Sequence, residues 1–416
     1  MSRAMPSRAG AAPGSEPSAR GAPRRAVIVT HSHYPDDPRA VKHATALHEA
    51  GFEVIVLALR RAGEAKRETL GGVDVRRLPL EHKRGGGARY LFEYFAIFAL
   101  SFWELTWLSL ARRPFAVQVN NPPDFLIFAA VVPKMLGARL ILDMHEPMPE
   151  LYASIRGLDA HAFPVRALRA IEGLATRFAD RVVTVSEICR KTFAARGTPA
   201  EKITVVKNVC DLELFDPRRY VAAAASGATA NGVQRVIYHG TLVGRYGVDL
   251  LVRAFARVRD RFPAARLEIF GRGETMEELA ALARELGVAD RVHFGGQVAL
   301  SSIPAKIAAA DVGVVPNRKD IFMDLVLPTK LFEYIAMEKP VVVARTAAVI
   351  DHFGAQDLYL FEPGDVDALA RTLEDALSHP GEARERVQRL RERCAGETWA
   401  AEKQKLIGVY EGLRGS

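Results

Sequence analysis

Residues 25–31, Arg25-Ala-Val-Ile-Val-Thr-His, form a short apolar run. Ala40 to Ala50 has helical spacing and stops at Gly51, and Phe52-Glu-Val-Ile-Val-Leu-Ala-Leu is apolar again. Strand, helix and strand within roughly 30 residues make a βαβ unit, and repeated units predict a parallel sheet. The pattern returns at Phe115-Ala-Val-Gln-Val, Ala138-Arg-Leu-Ile-Leu-Asp and Arg181-Val-Val-Thr-Val, and Ile203-Thr-Val-Val closes the series. Residues 217–233 are rich in small residues and aperiodic, which reads as a loop. Alternation then restarts, with strands expected at 233–239, 266–270, 291–294, 312–315, 340–344 and 359–361 and helices between them. The chain therefore divides into a tail (1–24), an N-terminal α/β domain (25–212), a linker (213–232) and a C-terminal α/β domain (233–395). A last helical segment (396–416) carries Trp399 and Tyr410.

Residues 90–110 stand apart, because 21 apolar-rich residues of helix are long enough for a bilayer core. Tyr90, Glu93, Tyr94, Ser101 and Glu104 fall on one stripe when placed at about 100° per residue. Glu93 and Glu104 argue against crossing a membrane, since each costs about 2.5 kcal/mol or more near its centre. Two readings stay open. Either this is a domain helix with its stripe facing water, or it lies on a membrane surface, aided by Trp103, Trp107, Lys83, Arg84, Arg89, Arg112 and Arg113.

Composition changes this picture only at the edges. The 416 residues are 49% hydrophobic and 25% charged, an ordinary soluble balance that excludes disorder throughout and collagen-like structure. The net charge is +8, but Arg3, Arg8, Arg20, Arg24 and Arg25 against Glu16 put half of it in the tail. The remainder is too mildly basic to predict nucleic-acid binding, and suits anionic substrates or an anionic membrane equally. The tail lacks an apolar signal core and reads as disordered. Cys189, Cys210 and Cys394 have no metal-like spacing and are odd in number, so a reducing cytoplasm is expected.

Two stretches carry candidate chemistry. In Val236-Ile-Tyr-His-Gly-Thr-Leu-Val-Gly-Arg-Tyr-Gly-Val-Asp a strand runs through Gly240, Gly244 and Gly247 into a helix. Glycines admit a ligand close to the backbone, a helix N-terminus favours an anion, and Arg245 adds a positive charge suited to a diphosphate. In Leu327-Pro-Thr-Lys-Leu-Phe-Glu, Pro328 begins a helix with Thr329 and Lys330 in its first turn. Glu333, one turn on, can accept a pair of vicinal hydroxyls such as those of a ribose. The plain alternatives are a βα turn and a carboxylate attracted to the helix dipole. Asp365-Val-Asp367 is read as a helix cap after Pro363-Gly364 and not as a metal site.

These residues in this order resemble family 4 glycosyltransferases, retaining nucleotide-sugar enzymes of the GT-B fold, over about residues 25–414. The resemblance is most specific in Tyr238-His-Gly-Thr-Leu, Glu268-Ile-Phe-Gly-Arg-Gly, Val292-His-Phe-Gly-Gly-Gln-Val and Pro328-Thr-Lys…Glu-Tyr, and looser in Asp37-Pro-Arg and Leu142-Asp-Met-His-Glu. It implies two Rossmann-like domains facing across a cleft, with the last helix crossing back to the first domain. It further implies that Arg245 contacts the donor diphosphate and Glu333 the ribose. Gly271, Gly273, Gln297 and Val298 would border the base pocket, and His145 would face the donor sugar. Asp37 and Arg39 would lie on the acceptor side, although Asp37 also reads as the cap of a helix starting at Pro38.

Two departures mark this sequence. Leu325 stands where the family has the first carboxylate of a Glu-x7-Glu pair, so either the N–H groups of Asp324, Leu325 and Val326 substitute or Asp324 shifts in. Tyr246 stands where the family has a lysine, with Arg245 beside it. The expected activity moves a sugar from a nucleoside diphosphate to a saccharide or lipid-linked acceptor alcohol, with retention. No cofactor and no metal are expected. The expected setting is cell-surface polysaccharide or glycolipid synthesis in the cytoplasm, with peripheral contact on the inner membrane face through 89–113. The alternatives are a nucleotide-sugar epimerase on the same fold and a non-catalytic paralogue.

Overall fold

The computed structural model describes residues 24–80, 87–222 and 233–413. The expected tail lies outside these residues except for Arg24, as does the part of the linker at 223–232. Two sheets organise the chain. The first has eight strands: β1 (Arg25–His33), β2 (Glu53–Leu59), β3 (Arg67–Leu70), β4 (Val73–Leu78), β5 (Ala116–Asn120), β6 (Arg139–Met144), β7 (Arg181–Thr184) and β8 (Ile203–Val205). Their spatial order is β3-β4-β2-β1-β5-β6-β7-β8, parallel throughout except where β3 meets β4. The second contains β9 (Arg235–His239), β10 (Arg266–Phe270), β11 (Val292–Gly296), β12 (Val312–Val315), β13 (Val341–Ala344) and β14 (Tyr359–Phe361). Its order, β11-β10-β9-β12-β13-β14, is the doubly wound order of a dinucleotide-binding sheet.

The central strands read as unbroken apolar runs because helices cover both faces of each sheet, as in Ala26–Val29 and Val54–Leu59, where every residue is almost fully buried. The first sheet carries α1 (Pro38–Glu49), α2 (Gly87–Arg112), α3 (Val131–Met135), α4 (Met148–Arg156), α5 (Phe163–Phe178) and α6 (Glu187–Ala195). The second carries α7 (Val248–Val258), α8 (Met276–Glu285), α9 (Ile303–Ala309), α10 (Thr329–Ala336), α11 (Ala347–Phe353), α12 (Val366–Ser378) and α13 (Pro380–Arg393). The β3–β4 hairpin, turning at Gly71-Gly72, is an element the apolar pattern does not predict. Its strands are short and heavily charged, and β3 forms an edge of the sheet, where charge is common.

The chain passes between the two cores over a few residues. Val206 belongs to the N-terminal core, whereas Val209, Cys210 and Phe215 already pack in the C-terminal one, slightly ahead of the expected boundary at 212. It returns through α14 (Trp399–Gly412), which lies on α1 and β8. The Tyr410 hydroxyl donates to Gln118 Oε1 at 2.9 Å inside the N-terminal core, and Glu402 accepts from Lys207 N at 2.8 Å. Trp399 packs against both cores, stacking on His43 of α1 at 6.3 Å.

Helix α2 departs from expectation in its orientation. Its polar stripe faces the domain and not water: Glu93 and Ser101 are buried, Arg76 of β4 donates to Glu104 at 2.7 Å, and Tyr94 meets His31 edge-on. Pairing its two carboxylates, Glu93 with Arg89 and Glu104 with Arg76, lets the stripe pack inward. The apolar face is left outside, with Phe92, Phe95, Trp103, Trp107 and Leu110 each about 70% exposed (68–70%). By length and composition, Phe92–Arg112 is also long and apolar enough to cross a membrane.

Candidate active site

In a doubly wound sheet, ligands bind outside the carboxyl ends of the strands where the order reverses, here between β9 and β12. Both candidate stretches meet at that point. The turn after β9 is held close to its neighbours: Gly240 N donates to Phe270 O, and a Cβ on Gly271 would fall 1.8 Å from Gly240 O. Gly247 is left-handed at φ 63° and opens α7, and a side chain there would collide with Pro316 O. Gly273 likewise packs on Leu242 O, whereas Gly244 has open space around it and is not required by contact. On the other side of the recess Pro328 caps α10, placing Thr329 and Lys330 in its first turn.

Lys330 Nζ would lie 3.2 Å from a Cβ on Gly240, and it sits 5.1 Å from the Tyr246 ring and 5.2 Å from the Tyr238 ring. Such ammonium–ring contacts are attractive. Lys330 keeps some solvent-accessible surface, yet protein crowds its ammonium on all sides, so it lies at the floor of a recess and not in a sealed core. Burial pushes it down to about 8, partly offset by Glu333. Arg245 carries no ion pair among the described residues. Its guanidinium lies 5.9 Å from the Tyr246 ring and 6.0 Å from that of Phe322. Two cations on different elements thus border one recess.

Glu333 shares it. Burial pushes its carboxyl up to about 7, against the pull of Lys330 and Lys42. His239 Nε2, at the end of β9, stands 3.1 Å from Glu333 Oε2. This is not an ion pair, because burial and the Lys330 charge push His239 down to about 3 and leave the imidazole neutral. From the N-terminal domain, His145 follows β6 at the carboxyl edge of its sheet. Its N–H donates to Asn121 Oδ1 at 3.0 Å, and its Nδ1 lies 3.9 Å from Asp143 Oδ2. The neighbouring Glu146 acts electrostatically on Tyr246 across the cleft. Gln297 is exposed after β11, and Val298 packs on the C-terminal core. A cavity of about 890 Å³ opens at the opposite, amino edge of the second sheet, near Asp311 and Lys339. It lies away from the glycine turn and the helix N-terminus, so we place the site at the carboxyl edge.

Several sequence expectations require correction. Arg39 does not face an acceptor: it is buried in a two-pronged pair with Asp143, at 2.7 and 2.6 Å, and donates to Val206 O. Asp37 is the cap of α1, with Oδ1 accepting from Arg39 N and Ala40 N and Oδ2 from Ser32 and Thr30. Neither proposed substitute for the first carboxylate is free. The N–H groups of Asp324, Leu325 and Val326 are used in turns to Asp320, Phe322 and Met323. The Asp324 carboxylate accepts from Ala347 N at 2.7 Å at the start of α11. Leu325 instead packs against the N-terminal core, where its carbonyl accepts from Cys189 Sγ. With Ser154 donating to Asp320 at 2.6 Å and Lys191 pairing with Asp351, this segment joins the two domains. His239 and Tyr238 are the site residues to which motif reading assigned no role, and Tyr246 entered only as a departure from the family's lysine. All three lie inside the first motif, where attention fell on glycines and Arg245.

Fold and site together define a GT-B protein with a recess on its second domain that Arg245 and Lys330 border. Residues 233–379 match the family model for glycosyl transferases group 1, and residues 37–209 match the glycosyl transferase 4-like domain. The chain belongs to the family 4 type of group 1 glycosyltransferases. It is 36% identical over 140 residues to a GDP-mannose-dependent alpha-(1-6)-phosphatidylinositol monomannoside mannosyltransferase of Mycobacterium tuberculosis, covering 33% of this chain and 36% of that one. With the protein of the same name from Mycolicibacterium smegmatis it shares 30% over 209 residues, covering 49% and 55%. The matches thus span between about a third and just over half of these relatives' lengths. Among solved structures, sucrose-phosphate synthase from Thermosynechococcus elongatus superposes with a TM-score of 0.73 at 19% identity, covering 94% of this chain and 99% of that one. Anabaena HepE in complex with UDP superposes at 0.69 and 15% identity, covering 94% and 100%. These likenesses concern the fold.

Proposed function

We propose that the protein transfers a glycosyl group from a nucleoside diphosphate sugar to an acceptor alcohol, with retention of anomeric configuration. The observation that carries this reading is the meeting of two backbones at one recess: the Gly240–Gly247 turn and the start of α10, with Lys330 lodged between them. Arg245, Lys330 and the N–H groups opening α10 neutralise the departing diphosphate, which is charge stabilisation directed at the leaving group. Glu333 accepts the ribose hydroxyls, and His145 meets the donor sugar from the other domain. Among the described residues, no group of three or more His, Cys, Asp or Glu side chains is arranged to hold a metal ion. We assign the neutralising charge to the two cations and expect turnover to survive EDTA.

The acceptor in this reading is lipid-linked, presented at an anionic membrane on which the outward apolar face of α2 rests, with Arg89, Arg112 and Arg113 beside it. The phosphatidylinositol-linked acceptor in the names of the mycobacterial relatives is consistent with it. The test is a thermal-shift and calorimetric screen of UDP, GDP and ADP and their sugars, followed by product analysis with the best donor. Binding of one nucleoside diphosphate and transfer to a lipid-extractable acceptor is the expected result. No binding by any of the three defeats the reading, and binding without transfer assigns a non-catalytic role.

A further inference from the structure

His239 ends β9 at the carboxyl edge of the sheet and is 7% exposed. Its ring meets Tyr334 edge-on, 5.1 Å between centroids at 80°. Tyr334 is itself fully buried and donates to Ile237 O at 3.3 Å, so the imidazole rests on a fixed surface. The backbone next to it is pinned as well, because Gly240 N donates to Phe270 O. This places Nε2 3.1 Å from Glu333 Oε2, in contact but off the line of a hydrogen bond, and neither atom has another hydrogen-bond partner among the described residues.

The other charges near Glu333 do not fix its direction. Lys42 Nζ is spent on Val209 O at 2.6 Å, and Lys330 lies under Gly240 against two tyrosine rings. Both attract the carboxylate without a hydrogen bond to it among the described residues. A neutral imidazole does what they do not. It donates one directional bond to one oxygen and leaves the negative charge in place, with the remaining lone pairs free for hydroxyls.

We propose that His239 is a positioning residue: it orients the Glu333 carboxylate to receive both hydroxyls of a ribose, and so sets a preference for ribonucleotides over 2′-deoxyribonucleotides. This rests on the reading of the recess as a nucleoside diphosphate site. The test is calorimetric binding of UDP against 2′-deoxy-UDP and of GDP against 2′-deoxy-GDP to wild type, His239→Phe and His239→Gln. Phenylalanine keeps the ring on Tyr334 and removes the donor, while the glutamine amide nitrogen reaches close to the place of Nε2.

Wild type is expected to favour the ribonucleotide by roughly tenfold or more, the worth of hydrogen bonds to a charged group. His239→Phe should shrink that ratio to about twofold or less by weakening the ribonucleotide alone, and His239→Gln should restore most of it. A folded His239→Phe variant with the wild-type ratio overturns the proposal. Should that variant fail to fold by circular dichroism, His239→Ala takes its place under the same criterion. A wild type that binds neither pair, or binds both members of a pair equally, instead defeats the nucleotide or ribose reading beneath it, and this is told apart by the wild-type data alone.

Discussion

Replacing Lys330 with methionine should make the protein more stable and, at the same time, worse at binding nucleotides. The side chain keeps its length and loses its charge. Holding the ammonium in the recess lowers its pKa from 10.5 to about 8, and at about 1.4 kcal/mol per unit this is a penalty of about 3 kcal/mol on the charged form. Some of the side chain is still wet, so about 1–3 kcal/mol is the expected gain on removing the charge. In a domain of this size that is roughly 3–8 °C in melting temperature. The pH dependence has a definite sign. Below pH 8 the lysine is charged in both folded and unfolded chains and the penalty is complete. As the pH rises from 8 towards 10.5 the folded state sheds its proton first, so wild type gains stability and the advantage of Lys330→Met fades.

Binding moves the other way. An ammonium and a phosphate oxygen about 4 Å apart attract by about 4 kcal/mol at an effective dielectric of roughly 20. After solvent competition, a loss of about 2–4 kcal/mol is expected, or about 30- to 1,000-fold in Kd. Differential scanning calorimetry without ligand reads the first effect, and titration calorimetry with UDP and GDP reads the second. A variant that melts below wild type, or one that binds the preferred nucleotide as wild type does, refutes the assignment of Lys330 as an unpaired cation kept for an anionic ligand.

Two further outcomes are open to direct measurement. Burial pushes Asp124 up to about 6, with its Oδ1 accepting from Asn121 at 2.9 Å, whereas an unfolded aspartate titrates near 3.8. The native state therefore holds the extra proton in that window, stability falls as pH rises through it, and Asp124→Asn should flatten the fall by about 1 kcal/mol in urea titrations at pH 5 and 7.5. Exchanging Trp103 and Trp107, each about 70% exposed (70% and 68%), for serine should abolish sedimentation with phosphatidylglycerol vesicles while leaving the melting temperature within about 2 °C. Equal sedimentation of the double variant removes α2 from membrane contact.

The central strands of both sheets were legible because they are buried on two faces, which leaves runs such as Val54–Leu59 without polar interruption. The glycine turn and the Pro328 helix were legible for a similar reason, since their local chemistry is written in consecutive residues. What escaped depends on partners far along the chain. Arg39 looks like an available cation until Asp143, 104 residues away, takes both its prongs. The stripe on α2 gives its angular position but not its direction. Arg76 turns Glu104 inward, and no pattern within the helix contains that information. Asp324 was a candidate ligand by spacing alone, and the helix it caps begins 23 residues later. The Gly71-Gly72 hairpin was within reach, since paired glycines between short strands signal a turn, but its strands are too charged to stand out.

Because α14 is built into the first domain while the residues just before it belong to the second, a cut in the connection near residue 213 would not yield two self-sufficient proteins. The leading piece would lose Tyr410 from its interior and strand the Gln118 oxygen, and the trailing piece would carry Leu406, Val409 and Tyr410 with nothing to cover them. Gene fusions, split reporters and isotope-labelled half-molecules of this protein are therefore better designed with the final helix grafted behind residue 212 than with a simple bisection.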